Sequence, residues 1–205
     1  MKALVKKSPE PGNVTLLEMP EPQVEPGLVK IRVEAAGVCG SDIHILHSDI
    51  QLRVKPPVIM GHEFSGVVEA VGEGVTGWQP GDRVVSETTF RSCGECIHCR
   101  NDRYNLCPQK DLIGYVYNGC FARYFLVPAE RIHRLPDNIS FEEGALCEPT
   151  ACCAHAVTEQ TSIAKGDLVM VAGVGTIGLL SAQIARAVGA DVVVCGTSAD
   201  TARFD

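Results

Sequence analysis

Residues 61–75 read Gly-His-Glu-Phe-Ser-Gly-Val-Val-Glu-Ala-Val-Gly-Glu-Gly-Val. A histidine and a carboxylate run directly into a short β-branched segment, 66–71, closed by glycine, which is the pattern of a strand. The same pattern recurs at 28–35 and 83–86, with Pro56, Pro57, Pro80 and Gly81 marking turns. Helical periodicity is weak throughout this region. The first two-thirds of the 205-residue chain is therefore expected to be β-rich.

Near Ser140 the texture changes. Ser140 precedes Glu142 and Glu143, a helix start, and a small-residue helix is expected over 151–162. Residues 167–172, 173–178, 177–188 and 191–195 then read as strand, glycine turn, helix and strand, one βαβ unit. A doubly wound sheet needs further strands, and the sequence ends at Asp205 inside the next expected helix. The expected organisation is a β-rich domain over 1–150 and an incomplete α/β domain over 151–205.

Composition supports a soluble globular chain, with 45% hydrophobic and 21% charged residues. A net charge of −7 and the lack of a Lys/Arg run disfavour a nucleic-acid surface. The N-terminus has no apolar signal region. The most apolar stretch, 168–190, contains Gln183, Arg186 and several glycines, so a buried strand and helix are expected there rather than a membrane span. A cytoplasmic location follows as an expectation, and with it reduced thiols.

Ten cysteines in such a chain point to metal or catalysis. Cys93, Cys96, Cys99 and Cys107 have the spacing C-x2-C-x2-C-x7-C. Four thiolates on short loops make a saturated tetrahedral cage for a structural zinc. An iron–sulfur cluster and four free thiols are the alternatives. His98 is expected to be an exposed bystander. Cys120, Cys152, Cys153 and Cys195 are expected as small buried residues.

A second set is dispersed. Cys39, within Cys39-Gly40-Ser41-Asp42-Ile43-His44, supplies a thiolate, His62 an imidazole, and Glu63 and Glu148 carboxylates. This mixture suits a catalytic zinc with an exchangeable position, although scattered residues of these types are usually core or surface. Ser41 has the hydroxyl, and His44 the imidazole, that a proton path from a dry site to solvent requires, although a turn hydroxyl capping the next segment and a solvated histidine are the plainer readings of these residues alone.

Together these motifs resemble the zinc-dependent medium-chain dehydrogenases. Residues 61–66 with Gly72 and Val75 match G-H-E-x2-G-x5-G-x2-V. The Cys39–His44 motif, the Gly81-Asp82-Arg83-Val84 turn and the four-cysteine lobe follow in the family's order. The resemblance implies a chaperonin-10-like (GroES-like) β-barrel catalytic domain followed by the start of a Rossmann domain. It implies Cys39, His62 and Glu148 as catalytic zinc ligands, Glu63 as a carboxylate that ligates or cycles on and off the metal, and Ser41 and His44 as the proton relay. Glu148-Pro149 is more similar to the sorbitol and polyol dehydrogenases than to the classical alcohol dehydrogenases. The implied activity is hydride transfer between a secondary alcohol, a polyol such as sorbitol, and NAD(P), with two zinc ions. An L-threonine-dehydrogenase-like activity and a non-catalytic zinc-binding chain are the alternatives. The resemblance also implies a homo-oligomer, dimer or tetramer, for a full-length form.

Gly173-Val174-Gly175-Thr176-Ile177-Gly178 is G-x-G-x-x-G between a strand and a helix, the context that turns a weak motif into a dinucleotide site. The second strand ends at Gly196, where NAD enzymes carry an acid for the ribose hydroxyls. Thr197, Ser198 and Arg203 follow and offer partners for a 2′-phosphate, so the expectation tilts to NADP. His47, Tyr115 and Tyr117 are candidates for a substrate cleft, and Trp78 for packing.

Overall fold

The computed structural model describes residues 1–204. The chain divides into two compact units, Met1–Leu146 and the remainder from Cys147.

The first unit holds β1 (Lys2–Lys6), β2 (Val14–Glu18), β3 (Leu28–Gly37), α1 (Gly40–His47), β4 (Val58–Ile59), β5 (Glu63–Val71), β6 (Arg83–Ser86), β7 (Thr89–Arg91), α2 (Ile97–Arg100), β8 (Asp111–Leu112), β9 (Tyr124–Pro128), β10 (Ile132–Arg134) and α3 (Phe141–Ala145). Its main sheet is antiparallel in the order β10-β6-β5-β3-β9, flanked by a smaller sheet β2-β1-β4. Alternation along the strands buries Val29, Ile31, Phe64, Val68, Val84, Phe125 and Val127 in one cluster. Phe64 and Phe125 meet edge to face at 4.7 Å, an arrangement the ring quadrupoles favour. Trp78 packs on this cluster and donates to Ala129 O at 3.2 Å. The β6 bounds equal those expected from the sequence, and β3 and β5 extend beyond theirs.

The β3–β5 pairing positions the rest. Gly37 at the end of β3 faces Glu63 at the start of β5, with bulges at Lys30/Ile31 and Val33/Ala35. The chain segments just beyond this pair, one leading to Cys39 and the other coming from His62, are therefore neighbours. Ser140 caps α3: its Oγ accepts from Glu143 N at 3.1 Å, and Glu143 Oε2 accepts from Ser140 N at 2.7 Å, a reciprocal capping box.

The second unit holds α4 (Cys147–Ala154), β11 (Leu168–Ala172), α5 (Thr176–Val188) and β12 (Asp191–Cys195), with β11 and β12 parallel. The expected helix over 151–162 is displaced: α4 starts at Cys147 and passes into a π-helical turn, His155–Glu159. The expected buried strand in 168–190 is also corrected. Leu168 is 76% and Met170 71% exposed, because α5 covers one face of a two-stranded sheet and nothing among the described residues covers the other. Residues Ser198–Arg203 form a 3₁₀ helix. Among the described residues no helix is long and apolar enough to cross a membrane.

Candidate metal centres and dinucleotide turn

The four-cysteine lobe lies between β7 and β8. Cys93 Sγ stands 3.8 Å from Cys99 Sγ and 3.6 Å from Cys107 Sγ, and Cys96 Sγ is 3.5 Å from Cys99 Sγ. These spacings are far too long for disulfides. They match the edge of a sulfur tetrahedron, roughly 3.8 Å for Zn–S bonds near 2.3 Å. All four sulfurs lie within 4.8 Å of one another, so the cage fits a single ion rather than a cluster that spreads its thiolates over several irons. Backbone N–H groups of Glu95 and Cys96 point at Cys93 Sγ and hold its thiol down at about 6, which favours the thiolate a metal needs, while burial and the neighbouring Cys99 and Cys93 sulfurs push the Cys96 thiol up to about 11. Cys96 is the N-cap of α2, its sulfur accepting from Cys99 N at 3.5 Å. His98 is half-buried rather than exposed and is not in the cage.

The second cluster forms where β3 and β5 converge. Cys39, His62 and Glu63 bring one ligand atom each to within 4.8 Å of one another, with His62 and Glu63 buried. The local sequence makes this possible in two ways. Gly61 takes φ +90°, a conformation natural to glycine, and a Cβ there would sit 2.5 Å from the Phe121 ring. Gly37 leaves room for the carboxylate: a Cβ on it would lie 2.4 Å from Glu63 Oε2. A thiolate, an imidazole and a carboxylate are zinc ligands of the mixed kind found at catalytic centres.

Around this trio the helix α1 supplies further groups. Cys39 is its N-cap, and Cys39 N donates to Asp42 Oδ2 at 3.0 Å. Asp42 is 3% exposed, and its Oδ1 lies 3.9 Å from His62 Nδ1. Burial pushes the Asp42 carboxyl above the usual range, and the His62 imidazole pulls part of that back. A carboxylate beside the ring nitrogen of a metal-binding histidine fixes the tautomer and orientation. Sequence alone does not single out Asp42. The only signal is an acid three residues past the cysteine, which reads as an ordinary capping residue. Ser41 Oγ is buried and makes no hydrogen bond among the described residues. His44 is exposed, its Nδ1 2.9 Å from Asp49 Oδ1. Tyr115 is buried with its ring 5.5 Å from that of His62, whereas Tyr117 stacks on Phe90 at 3.7 Å and His47 is exposed. Cys120 Sγ faces Glu63 O at 3.5 Å, and burial with the Asp42 and Glu63 carboxylates pushes its thiol strongly up, keeping it neutral.

Glu148 lies in the first turn of α4 in the second unit, its Oε1 3.9 Å from Cys152 Sγ. Cys152 is exposed, against the expectation of burial, because it lies on the outer side of α4, while Cys153 is buried and donates to Ile177 O. Cys147 is half-buried, and burial raises its thiol.

The glycine turn has Gly175 as N-cap of α5, one residue earlier than the helix start expected at Ile177 requires. A Cβ on Gly178 would lie 2.0 Å from Gly173 O, so only glycine permits this tight strand-to-helix passage. Thr176, Ile177 and Gly178 form the first turn of α5, whose free N–H groups are the usual anion site of the motif. At the end of β12, Asp200 folds back to the Gly196-Thr197 corner. Its Oδ2 accepts from Thr197 N at 2.9 Å and Thr197 Oγ1 at 2.8 Å, and its Oδ1 lies 3.7 Å from Arg203 Nη1. Ser198 is exposed at the start of the 3₁₀ helix.

Residues 25–137 match the family model described as the alcohol dehydrogenase GroES-like domain. The chain is 46% identical to a sorbitol dehydrogenase of Halalkalibacterium halodurans over all of its own length and 59% of the relative's. It is 40% identical to an L-threonine 3-dehydrogenase of Bacillus subtilis, over 95% of this chain and 55% of that one. Among solved structures, a zinc-binding dehydrogenase of Sinorhizobium meliloti 1021 bound to NADP superposes with a TM-score of 0.89 at 37% identity, covering 98% of this chain and 57% of that one. The chain thus spans between half and two-thirds of the length of these relatives.

Proposed function

The chain belongs to the alcohol dehydrogenase family with a GroES-like domain, and on that premise we propose that the whole protein is a zinc-dependent dehydrogenase. Its reaction is hydride transfer between a secondary alcohol, in our reading a polyol such as sorbitol, and NAD(P). The observation that carries this is the meeting of half-buried Cys39 with buried His62 and Glu63 in one cluster.

When bound, zinc supplies Lewis acidity that lowers the pKa of an alcohol, and the dinucleotide accepts the hydride. The protein's own groups do the rest. Cys39 and His62 would hold the metal, Asp42 lies beside the His62 ring with its Oδ1 3.9 Å from Nδ1, and Glu63 is close enough to join the ligand set. Among the described residues Ser41 Oγ has no protein partner to compete for it, so it accepts the substrate hydroxyl's proton and hands on its own. His44 lies three residues further along α1, on the same face, and delivers the proton to solvent. Glu148 completes the ligand set in this proposal, on the strength of its sequence context.

Two variants test the assignment in a form extended to the relatives' length. Ser41→Ala lowers turnover by about 10²-fold or more with zinc content unchanged. Glu148→Ala lowers turnover by several orders of magnitude while the four-cysteine lobe keeps its zinc. Full activity in either variant removes that residue from the mechanism. Sorbitol and L-threonine, offered side by side, separate the two substrate readings, since identities of 46% and 40% favour the polyol only slightly.

For the cofactor we propose NAD(P) at the Gly173–Gly178 turn, with the tilt to NADP resting on Gly196 and Arg203. Asp200 opposes it, because a carboxylate repels a 2′-phosphate. Asp200→Asn, which removes that charge and frees Arg203, is expected to lower the Michaelis constant for NADP relative to NAD. An unchanged ratio places the 2′ position away from this corner.

A further inference from the structure

A cavity of about 730 Å³ lies beside the metal lobe, outside the Cys39 cluster, between residues 51–53 and 106–112. Its charged lining consists of Arg53, Arg91, Lys110 and Asp111. Asp111 is 2% exposed, and its two oxygens are divided between two cations: Arg53 Nη1 donates to Oδ1 at 3.0 Å and Arg91 Nη2 to Oδ2 at 2.8 Å. Lys110 Nζ donates to Asn105 O. Among the described residues no other carboxylate lines the cavity.

One arginine is enough to satisfy a buried carboxylate through a bidentate fork. Here two share it, each giving one of its N–H groups and retaining the rest of its five. Both side chains are 66% exposed. Against three cations there is one anion, so positive charge is left over locally in a chain whose net charge is −7. The guanidinium planes are tethered by Asp111 rather than free to swing, so less rotamer entropy is lost when they meet an anion. We propose that this cavity is a binding site for a phosphate monoester, the Arg53 and Arg91 forks taking the phosphate oxygens and Lys110 adding charge. A phosphate group carries about −1.5 to −2 at neutral pH, close to the excess it would meet. The wall also communicates with the Cys39 cluster: two residues beyond Arg53, Lys55 N donates to Tyr115 O at 2.8 Å, and the Tyr115 ring faces His62. The site stands on its own geometry, whatever reaction the whole protein performs.

The test is isothermal titration calorimetry on the zinc-loaded 205-residue chain, with inorganic phosphate and with glycerol 3-phosphate in separate runs at low ionic strength. One saturable site is expected. The Arg53→Gln/Arg91→Gln double variant should weaken it by about tenfold or more, while Lys7→Gln, an exposed lysine elsewhere, leaves it unchanged. Arg91→Lys keeps the charge without the fork and serves if the double variant fails to hold zinc; it too should bind measurably less tightly. An ester that binds about tenfold tighter than inorganic phosphate identifies a phosphorylated organic ligand, and equal affinities identify free phosphate; both support the site. Absence of saturable heat with both probes, or variants that lose thermal stability yet bind phosphate as before, overturns the proposal and leaves Asp111 as a structural tether.

Discussion

Cys107→Ser is expected to empty the four-cysteine lobe of the zinc we propose for it and to make the segment between β7 and β8 protease-sensitive. The reason lies in what holds that segment. Its apolar residues point outward, Ile97 at 69% and Leu106 at 52% exposed, and none of the three buried hydrophobic clusters draws on the cysteine loop itself. Apart from Tyr104, whose hydroxyl donates to Glu87 Oε2 at 2.7 Å and whose ring Arg131 covers at 3.6 Å, order there rests in our proposal on the sulfur cage. Structural zinc in small zinc-finger peptides contributes about 10–16 kcal/mol at neutral pH, comparable to the whole stability of an ordinary domain, about 5–15 kcal/mol. Cys107 is 1% exposed and stands at the return of the loop onto the sheet, so its sulfur closes the cage. The β10-β6-β5-β3-β9 sheet has its own core and should survive, giving local rather than global unfolding. Elemental analysis and limited proteolysis read both effects. A variant that keeps all its zinc and its protease resistance would falsify the view that metal, not packing, orders the lobe. A chelator strong enough to strip zinc should reproduce the variant.

His62→Ala is expected to remove the other zinc and leave the lobe's in place. His62 supplies the one imidazole of its cluster, at 5% exposure, and alanine offers no ligand atom in its place. The loss also strands Asp42, whose buried carboxyl would keep Cys39 N but lose the ring beside it. A buried carboxyl left with one polar neighbour fewer costs stability, so the melting temperature should fall as well. In a form extended to the relatives' length, turnover should drop below detection. If zinc content stays at the parent value, the cluster is not a metal centre and the non-catalytic alternative gains.

How far these sites are legible in the sequence differs by kind. The four cysteines are local: short loops bring them together whatever the surrounding fold, so spacing alone carries the reading. The βαβ unit is also local, and its strand bounds emerge from β-branched runs and glycine. The Cys39–His62–Glu63 cluster is not local. It depends on β3 lying against β5 with Gly37 opposite Glu63, a pairing that no periodicity encodes; the family resemblance pointed to it. Asp42, and the shared carboxylate of Asp111 between Arg53 and Arg91, leave no such trace, because one acid and two distant arginines are common in any soluble chain. The exposed face of β11 and β12 contradicts a reading of apolar runs as buried, since burial depends on what lies above a strand as well as on what it contains.

The β3–β5 register has a consequence for how this protein tolerates change in length. Side chains alternate across a strand, so a single inserted or deleted residue in β3 or at the start of β5 turns every later side chain to the opposite face. Such a change would aim Glu63 away from Cys39, and the bulges resist slippage that might correct it. The turn between β1 and β2, residues 7–13, is largely exposed and works under different rules, because lengthening a surface loop costs little. Insertions and deletions should therefore accumulate in that stretch among descendants of this sequence, while the two strands hold their residue count even where their side chains drift.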